Sequence, residues 1–505
     1  GLRVSAPADA AHAAPDIGLG FRGLIDGAMD ERARDMNETR TLAEWVTSLR
    51  LEDIPETVKE HARRFLLDNF GCQIAGATVP WSRQYYDVIR RTRSGSHSTV
   101  AYHGDKLAPD DAAFINAAFN HANETDDTHL KSPTHPGQIA VPTALAVAEY
   151  ANATGAKLLL GVIAAYEVMI RLSWTCSPYL IYKGHHPPVG VGPFGGATAG
   201  IAIMGFDRET AMNAYGIAGS HAAGLIEYTK SGGSVKRIHA GIPSQGGVRA
   251  VLFAEGGITG PHTIIEGEKG FCKVFAGEYD LTRLTDGLGT KWHMLDNGLK
   301  PYSCCHLIHF AFDALDVLRD RRDFGPQDVK EVRIATNSEP ILSHIGSIIE
   351  PHDILGAQFS MPFSVAMRLH HGGRRLKGGN GFWDYLDVNL KDPGLLETAR
   401  KVKVVVANDP TRWARVDEGG GVEVDLVDGT TLSVAYPHSW GLPENPMSQG
   451  DVEDKFHYLT DPIMPVGKPA AIIDAIRHVE SIERVNDIAQ LLVVPPRPGD
   501  RAAAE

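Results

Sequence analysis

Cysteine is scarce in this chain. Five residues in 505 (Cys72, Cys176, Cys272, Cys304 and Cys305) are scattered, and none forms a C-x-x-C pair. A disulfide framework and the usual thiolate zinc spacings are therefore excluded, and a reducing, cytoplasmic compartment is expected. Positive charge is also short: 49 Lys and Arg face 62 Asp and Glu, a net charge of −13, which argues against nucleic acid or an anionic membrane as partner. Long apolar runs are missing. The most apolar segment, LLLGVIAAYEVMIRL (158–172), is too short for a membrane span, and Glu167 and Arg171 interrupt it at i,i+4 spacing. Residues 1–39 carry no continuous apolar stretch of the kind a secretory signal needs, and read as an N-terminal extension. No Walker motif occurs and no G-x-G-x-x-G follows a strand, so no nucleotide site is expected.

What is present is ordinary globular material: 43% hydrophobic and 22% charged residues, in a chain long enough for two domains. Against that background four segments are rich in chemistry. NETDDTHLKSPTHPGQIAVP (123–142) packs Glu124, Asp126, Asp127, Thr125, Thr128, His129 and His135 ahead of an Ala/Val-rich helix. GHHPPVGVGPFGGAT (184–198) places His185 and His186 at a helix mouth. TKSGGSVKRIHAG (229–241) sets Lys230, Lys236, Arg237 and His239 beside a double glycine. LKPYSCCHLIH (299–309) holds Lys300, Tyr302, His306 and His309. Each begins or interrupts a helix, and acid/base groups on stiff supports suit proton transfer. One such segment is equally well a solvated helix end. Four in order predict one site assembled from loops on a helical scaffold.

Periodicity predicts helices near 110–122, 138–152, 157–172, 193–205 and 208–226, with Gly192, Gly195, Gly196 and Gly200 serving close packing. Asp53 and Glu56 read as a capping box before Val58. The texture changes after Lys300. VKEVRIAT and KVKVVVAND read as strands, and GVEVDLVDGTTLSVAY as a hairpin turning at Asp428-Gly429. This predicts an α+β unit with an antiparallel sheet over 296–439, flanked by helical segments at 40–295 and 440–505. The fold class is mostly α. Cys304 and Cys305 are expected to be packing residues.

The run DNFGCQIAGATVPW (68–81), together with NETDDT…TH, HHPPVGVGPFGGA, SVKRIHAG and KPYSCCHLIH, resembles the MmgE/PrpD superfamily, in the family's order from about residue 40 to 490. The resemblance implies a large all-helical domain with a smaller inserted α+β lid, the last helices returning to the helical domain. It also implies a homodimer and a lyase of small di- or tricarboxylic acids that works without metal or organic cofactor. Cis-aconitate decarboxylase is the nearest in pattern; 2-methylcitrate dehydratase and iminodisuccinate epimerase are the alternatives. By position, His135 and His186 match family site histidines for proton transfer and carboxylate contact. Lys236 and Lys300 match lysines that bind carboxylates. Glu124, Asp127, Thr128, His185, Arg237 and Tyr302 are the candidate substrate-binding residues. The pattern departs at AQFSMPFSVAM (357–367), which lacks the lid tyrosine of mammalian-type decarboxylases; either Tyr302 replaces it or the reaction differs.

Two readings from other classes stay beside this one. A metal-dependent hydrolase would use Asp126, Asp127, His129 and His135 as ligands, although no H-E-x-x-H-type spacing is present. A non-catalytic paralogue would bind a small acid or serve as an assembly subunit.

Overall fold

The computed structural model describes residues 37–231, 233–408 and 420–495. All but the last three residues of the 1–39 extension lie outside them. The helical body begins with α1 (Glu38–Ser48), α2 (Glu56–Gly76) and α3 (Pro80–Thr92), followed by α4 (Pro109–Asn120), α5 (Gly137–Tyr150) and α6 (Gly155–Cys176). A short α7 (Tyr179–Tyr182) leads into α8 (Pro187–Met204), α9 (Arg208–Ala218), α10 (Tyr228–Ser231) and α11 (Gly241–Glu255). The body is not wholly helical. A small antiparallel pair, β1 (Ser98–Thr99) with β2 (Lys106–Leu107), lies between α3 and α4. The capping box expected at Asp53 and Glu56 does not form. Asp53 closes a separate 3-10 turn, Pro55 precedes α2, and Glu56 pairs with Lys59 and Arg63.

The centre of the body is α8, buried from Pro187 to Ile203 and packed against α5, α6 and α11. Its glycines let backbones touch: a Cβ on Gly196 would lie 3.1 Å from the Gly247 Cα, and one on Gly195 only 2.1 Å from Met169. The Gly190-x-Gly192-x-x-Gly195 spacing is therefore a packing stripe inside a helix. The α6 helix runs to 22 residues, longer than its sequence predicts and enough to cross a membrane by length and composition, yet 94% of its apolar window is buried in this protein. Inside it Arg171 Nε donates to Glu167 Oε2 at 3.1 Å, the expected i,i+4 pair.

After α12 (Thr282–Thr285) the chain enters the α+β unit through residues 298–300, and α13 (His309–Arg321) packs on its sheet. Strands β3 (Val329–Thr336), β4 (Val402–Val406), β5 (Gly420–Leu426) and β6 (Thr431–Tyr436) stand in the order β4-β3-β5-β6. The β5–β6 hairpin turns at Asp428-Gly429, with Gly429 at φ +89°. Its core face carries the buried Val422, Val424 and Leu426. The sheet is mixed, not antiparallel throughout, because β3 and β4 run parallel. Between them lie α14 (Ile354–Gln358), α15 (Met361–His371), α16 (Phe382–Asp387) and α17 (Pro393–Arg400), the long crossover a parallel pair requires.

The final helices pack on the body: α18 (Gln449–Thr460) and α19 (Lys468–Arg477) against α2, and α20 (Val485–Leu491) against α5. Lys455 of α18 reaches inward, 2.5 Å from Asp68 Oδ1 and 2.9 Å from the Thr125 carbonyl. The two passages between body and sheet unit run side by side, Leu299 N–H donating to Gly441 O at 2.9 Å.

Candidate active site

The loop after α4, residues 121–136, is buried throughout its first half (121–129), and Glu124 adopts a left-handed backbone at φ +54°. Such a conformation in a non-glycine residue is held by its surroundings. Gln358 supplies part of that grip: its Nε2 donates to the Asn123 carbonyl and side chain and to Ser303 O, at 2.9–3.1 Å. Asp127 anchors the other end. Its carboxylate accepts from Gly137 N–H at the start of α5 (3.1 Å), from the Tyr166 hydroxyl (2.7 Å) and from Asn297 Nδ2 (2.6 Å). Burial pushes the Asp127 carboxyl up to about 7, against the pull of the Tyr166 hydrogen bond. Asp127 is thus committed to internal donors, which corrects its expected place among the substrate contacts.

Glu124 sits at the middle of a charge cluster. Its Oε1 pairs with Lys236 Nζ and its Oε2 lies 3.6 Å from Lys300 Nζ. Burial raises the Glu124 carboxyl, but Lys236 and Lys300 together outweigh it and hold it well below the usual carboxylate range. Burial likewise opposes charge on Lys300, and Glu124 and Asp126 outweigh it, so the Lys300 ammonium is held above its ordinary value. Lys236 Nζ also donates to His121 Nε2 at 3.1 Å, while His121 Nδ1 faces Asp126 Oδ2 at 3.0 Å. A lysine has only donors, so His121 accepts at Nε2 and donates at Nδ1 to the carboxylate. His135 stands beside this ring at a 5.6 Å centroid distance. Its Nδ1 is 2.7 Å from the Asp127 carbonyl, which can only accept, so the proton is on Nδ1 and the Nε2 lone pair is left available. Burial lowers His135 to about 4, with Asp126 opposing and Lys300 assisting.

A second histidine pair flanks the first. His186, just before α8, and His239, just before α11, place their Nδ1 atoms 3.0 Å apart, and Tyr228 meets both rings edge-on at 6.1 and 5.5 Å. Burial, reinforced by Lys236 and His239, holds His186 well below the usual imidazole value. Next to Lys236, the Arg237 guanidinium lies over Trp81 at 4.1 Å, and both Arg237 and Trp81 donate to the Ala122 carbonyl. Lys236, Arg237, Trp81 and Tyr228 form one wall of a cavity of about 620 Å³. The opposite wall comes from the α+β unit: Ile348, residues 353–356, Phe359 and Leu390. The cavity therefore lies between body and sheet unit, with the charge cluster reached through Lys236.

The MmgE/PrpD N-terminal domain matches residues 40–284 and the MmgE/PrpD C-terminal domain residues 302–481. The chain belongs to the MmgE/PrpD family. A cis-aconitate decarboxylase of Aspergillus terreus is 26% identical over 491 residues, covering 92% of this chain and 99% of that protein. A second, from A. terreus strain NIH 2624 / FGSC A1156, is 28% identical over 490 residues, with coverages of 92% and 98%. The Homo sapiens cis-aconitate decarboxylase is 24% identical over 475 residues, covering 91% of this chain and 95% of itself. The chain is accordingly a lyase of the MmgE/PrpD type, a decarboxylase or dehydratase.

Of the residues expected in the site, the structure gathers His135, His186, Lys236, Lys300, Glu124 and Arg237 around one cluster and one cavity. Thr128 lies beside it, its backbone paired with Gly298 at 2.8 Å in both directions. Two others are placed elsewhere. His185 turns its ring to Phe275 at 4.8 Å, because residues 184–186 run extended against 224–226, His185 bridging Leu225, and successive side chains of extended backbone point to opposite sides. Tyr302 directs its hydroxyl to Asp313 Oδ1 at 2.6 Å and its ring to His309 and Phe312, inside the α+β unit. It does not stand in for the missing lid tyrosine. The Lys230 side chain lies outside the described residues. The metal-ligand quartet does not assemble: His129 Nδ1 is engaged with Ser132 at 2.8 Å and Asp127 is saturated. Among the described residues no group of three or more His, Cys, Asp or Glu is arranged to hold a metal ion.

His121 and the role of Asp126 are not apparent from the sequence. His121 sits two residues ahead of the NETDD run, and its proximity to five acidic and imidazole groups in one loop is the only local signal. His239 belongs to the TKSGGSVKRIHAG segment, but nothing in its spacing points to His186.

Proposed function

We propose that this lyase decarboxylates a cis-aconitate-like tricarboxylic acid, without metal or organic cofactor, by histidine acid/base catalysis with lysine carboxylate binding. The observation that carries the reading is the position of Lys236, which walls the cavity and touches both Glu124 and His121. Full-length likeness to proteins named cis-aconitate decarboxylase supports it.

In such a reaction the bond from carbon to the departing carboxylate breaks and carbon dioxide leaves. The electron pair passes through the neighbouring double bond to the carbon next to a remaining carboxylate, and that carbon takes a proton. Lys236 and Lys300 stabilise the charge that develops there, since fixed cations act strongly in a buried site. A bound carboxylate competes with Glu124 for these lysines, and Glu124 keeps the cluster balanced throughout. His135 offers its Nε2 for proton transfer. Its lowered value alone leaves it unprotonated at neutral pH, but the negative charges of the bound substrate raise it, so the ring takes up a proton from solvent as the acid binds. His186 contacts a carboxylate or shares in the transfer.

The reading includes the 296–439 unit acting as a lid over the cavity. It also takes the enzyme as a cytoplasmic homodimer joined through the helical body. Free thiols at all five cysteines support the compartment, and exposed Tyr182, Leu225, Phe253, Ile258 and Val274 on the body support the interface. A light-scattering mass of a single 54.6 kDa chain at micromolar concentration would reject the dimer.

The deciding experiment incubates the protein with cis-aconitate, 2-methylcitrate, citrate and iminodisuccinate in deuterium oxide, followed by proton NMR. Loss of carbon dioxide from cis-aconitate, with one deuterium on the product carbon, is the expected outcome. Loss of water alone would make it a dehydratase, and exchange without conversion an isomerase.

A further inference from the structure

The cavity is much larger and more apolar than a small tricarboxylate requires. At about 30 Å³ per water-sized unit, its volume of about 620 Å³ holds about twenty such units. A six-carbon tricarboxylate has about a dozen non-hydrogen atoms. The charge along the cavity is uneven. Lys236 and Arg237 lie on the body side. The opposite wall, from the α+β unit, carries half-buried Ile348, Ile354, Leu355 and Leu390. The acid on that wall is Asp353, whose carboxylate already caps Gly356 N–H at 2.7 Å and would repel a second anion. The cations of the lining are thus on the body side, Lys236 lying over Phe359 at 5.4 Å, and apart from Asp353 the α+β wall offers a ligand mainly apolar contact.

We propose that the natural substrate carries an apolar arm of several carbons, seated on Ile348, Ile354, Leu355 and Leu390 while its carboxylates lie at Lys236 and Arg237. This rests on the reading above that the cavity takes the substrate, and it narrows the substrate class to alkyl-substituted polycarboxylates. Burial of each methylene against such a wall strengthens binding about fourfold. A polar far end would give no such gain.

The test uses 2-alkylsuccinates from methyl to hexyl as unreactive probes, with dissociation constants measured by titration calorimetry. The constant should fall about fourfold with each added methylene until the wall is covered. Leu390→Asp should flatten that dependence, and Ile354→Asn should weaken it, each variant checked for native circular dichroism. Dissociation constants that stay level or rise with chain length overturn the proposal. Failure of every probe to bind, or an unchanged slope in both variants, does the same. The reaction is judged separately: if cis-aconitate is not decarboxylated while the slope stands, the reaction assignment falls and the apolar arm remains. Turnover of cis-aconitate with a flat slope leaves the reaction standing and removes the arm.

Discussion

The Nδ1 atoms of His186 and His239 face each other at 3.0 Å, so one ring donates and the other accepts, and only one proton lies between them. His239 thereby fixes which form His186 presents at its Nε2, although His186 and His239 lie 53 positions apart in the chain. Because His239 also helps to lower His186, its removal should change both the orientation and the titration of that ring.

His239→Ala should therefore lower kcat by about tenfold with KM nearly kept, and the acidic limb of the kcat–pH profile should move to higher pH. His239→Asn, which keeps a donor and an acceptor, should recover part of the rate. An unmoved profile in the alanine variant would show that the pair has no bearing on the proton.

His135→Ala should lower kcat by at least ~10², the usual scale for a lost general acid or base. Lys236→Ala should lower kcat and also raise KM, since it meets the substrate in the ground state as well as the transition state. Steady-state kinetics on the substrate found by NMR checks both, and near wild-type rates in well-folded variants would place the chemistry elsewhere.

Lys300 and Glu124 are the buried pair on which the cluster's balance depends, with side chains 1% and 4% exposed. Glu124 and Asp126 face Lys236 and Lys300, so removing one lysine leaves a buried negative charge without its counterion. Lys300→Met should cost about 3–5 kcal/mol in urea unfolding. Adding Glu124→Gln restores neutrality, so the double variant should regain most of that loss. Equal stability of the single and double variants would rule this balance out.

Acid should destabilise the fold over a defined window. Burial holds His129 and His306 at about 3 and His135 at about 4, below the ordinary imidazole value of 6.5. As pH falls from about 6.5 toward 4, the unfolded chain takes up protons that the folded chain refuses, so stability falls. Each of the three contributes up to about 1.4 kcal/mol per pH unit there, and nothing above pH 7. Unfolding free energies measured by urea at half-unit steps should decline through this window, and a flat profile between pH 6.5 and 4 would contradict the assignment.

Much of this protein is written locally in its sequence. The Asp428-Gly429 hairpin, the Glu167–Arg171 pair within α6, and the glycine stripe of α8 all follow from turn chemistry and helical period. Those act between residues a few positions apart. The histidine and lysine segments were also legible, because loops rich in titratable groups beside Gly and Pro are unusual in a core.

Tertiary structure decided the rest. The parallel pairing of β3 with β4 depends on a crossover of four helices, which no local pattern reports. Asp127 and Tyr302 look like site residues in the chain, but Tyr166, Asn297 and Asp313 claim them from 39, 170 and 11 positions away. His121 became a member of the cluster only when Lys236, 115 positions on, reached its Nε2. The sequence alone determined which chemical groups are present and which helices carry them. Which of those groups face the cavity, and which are consumed as internal partners, was settled by packing, since a buried polar group must find a partner wherever the fold places one.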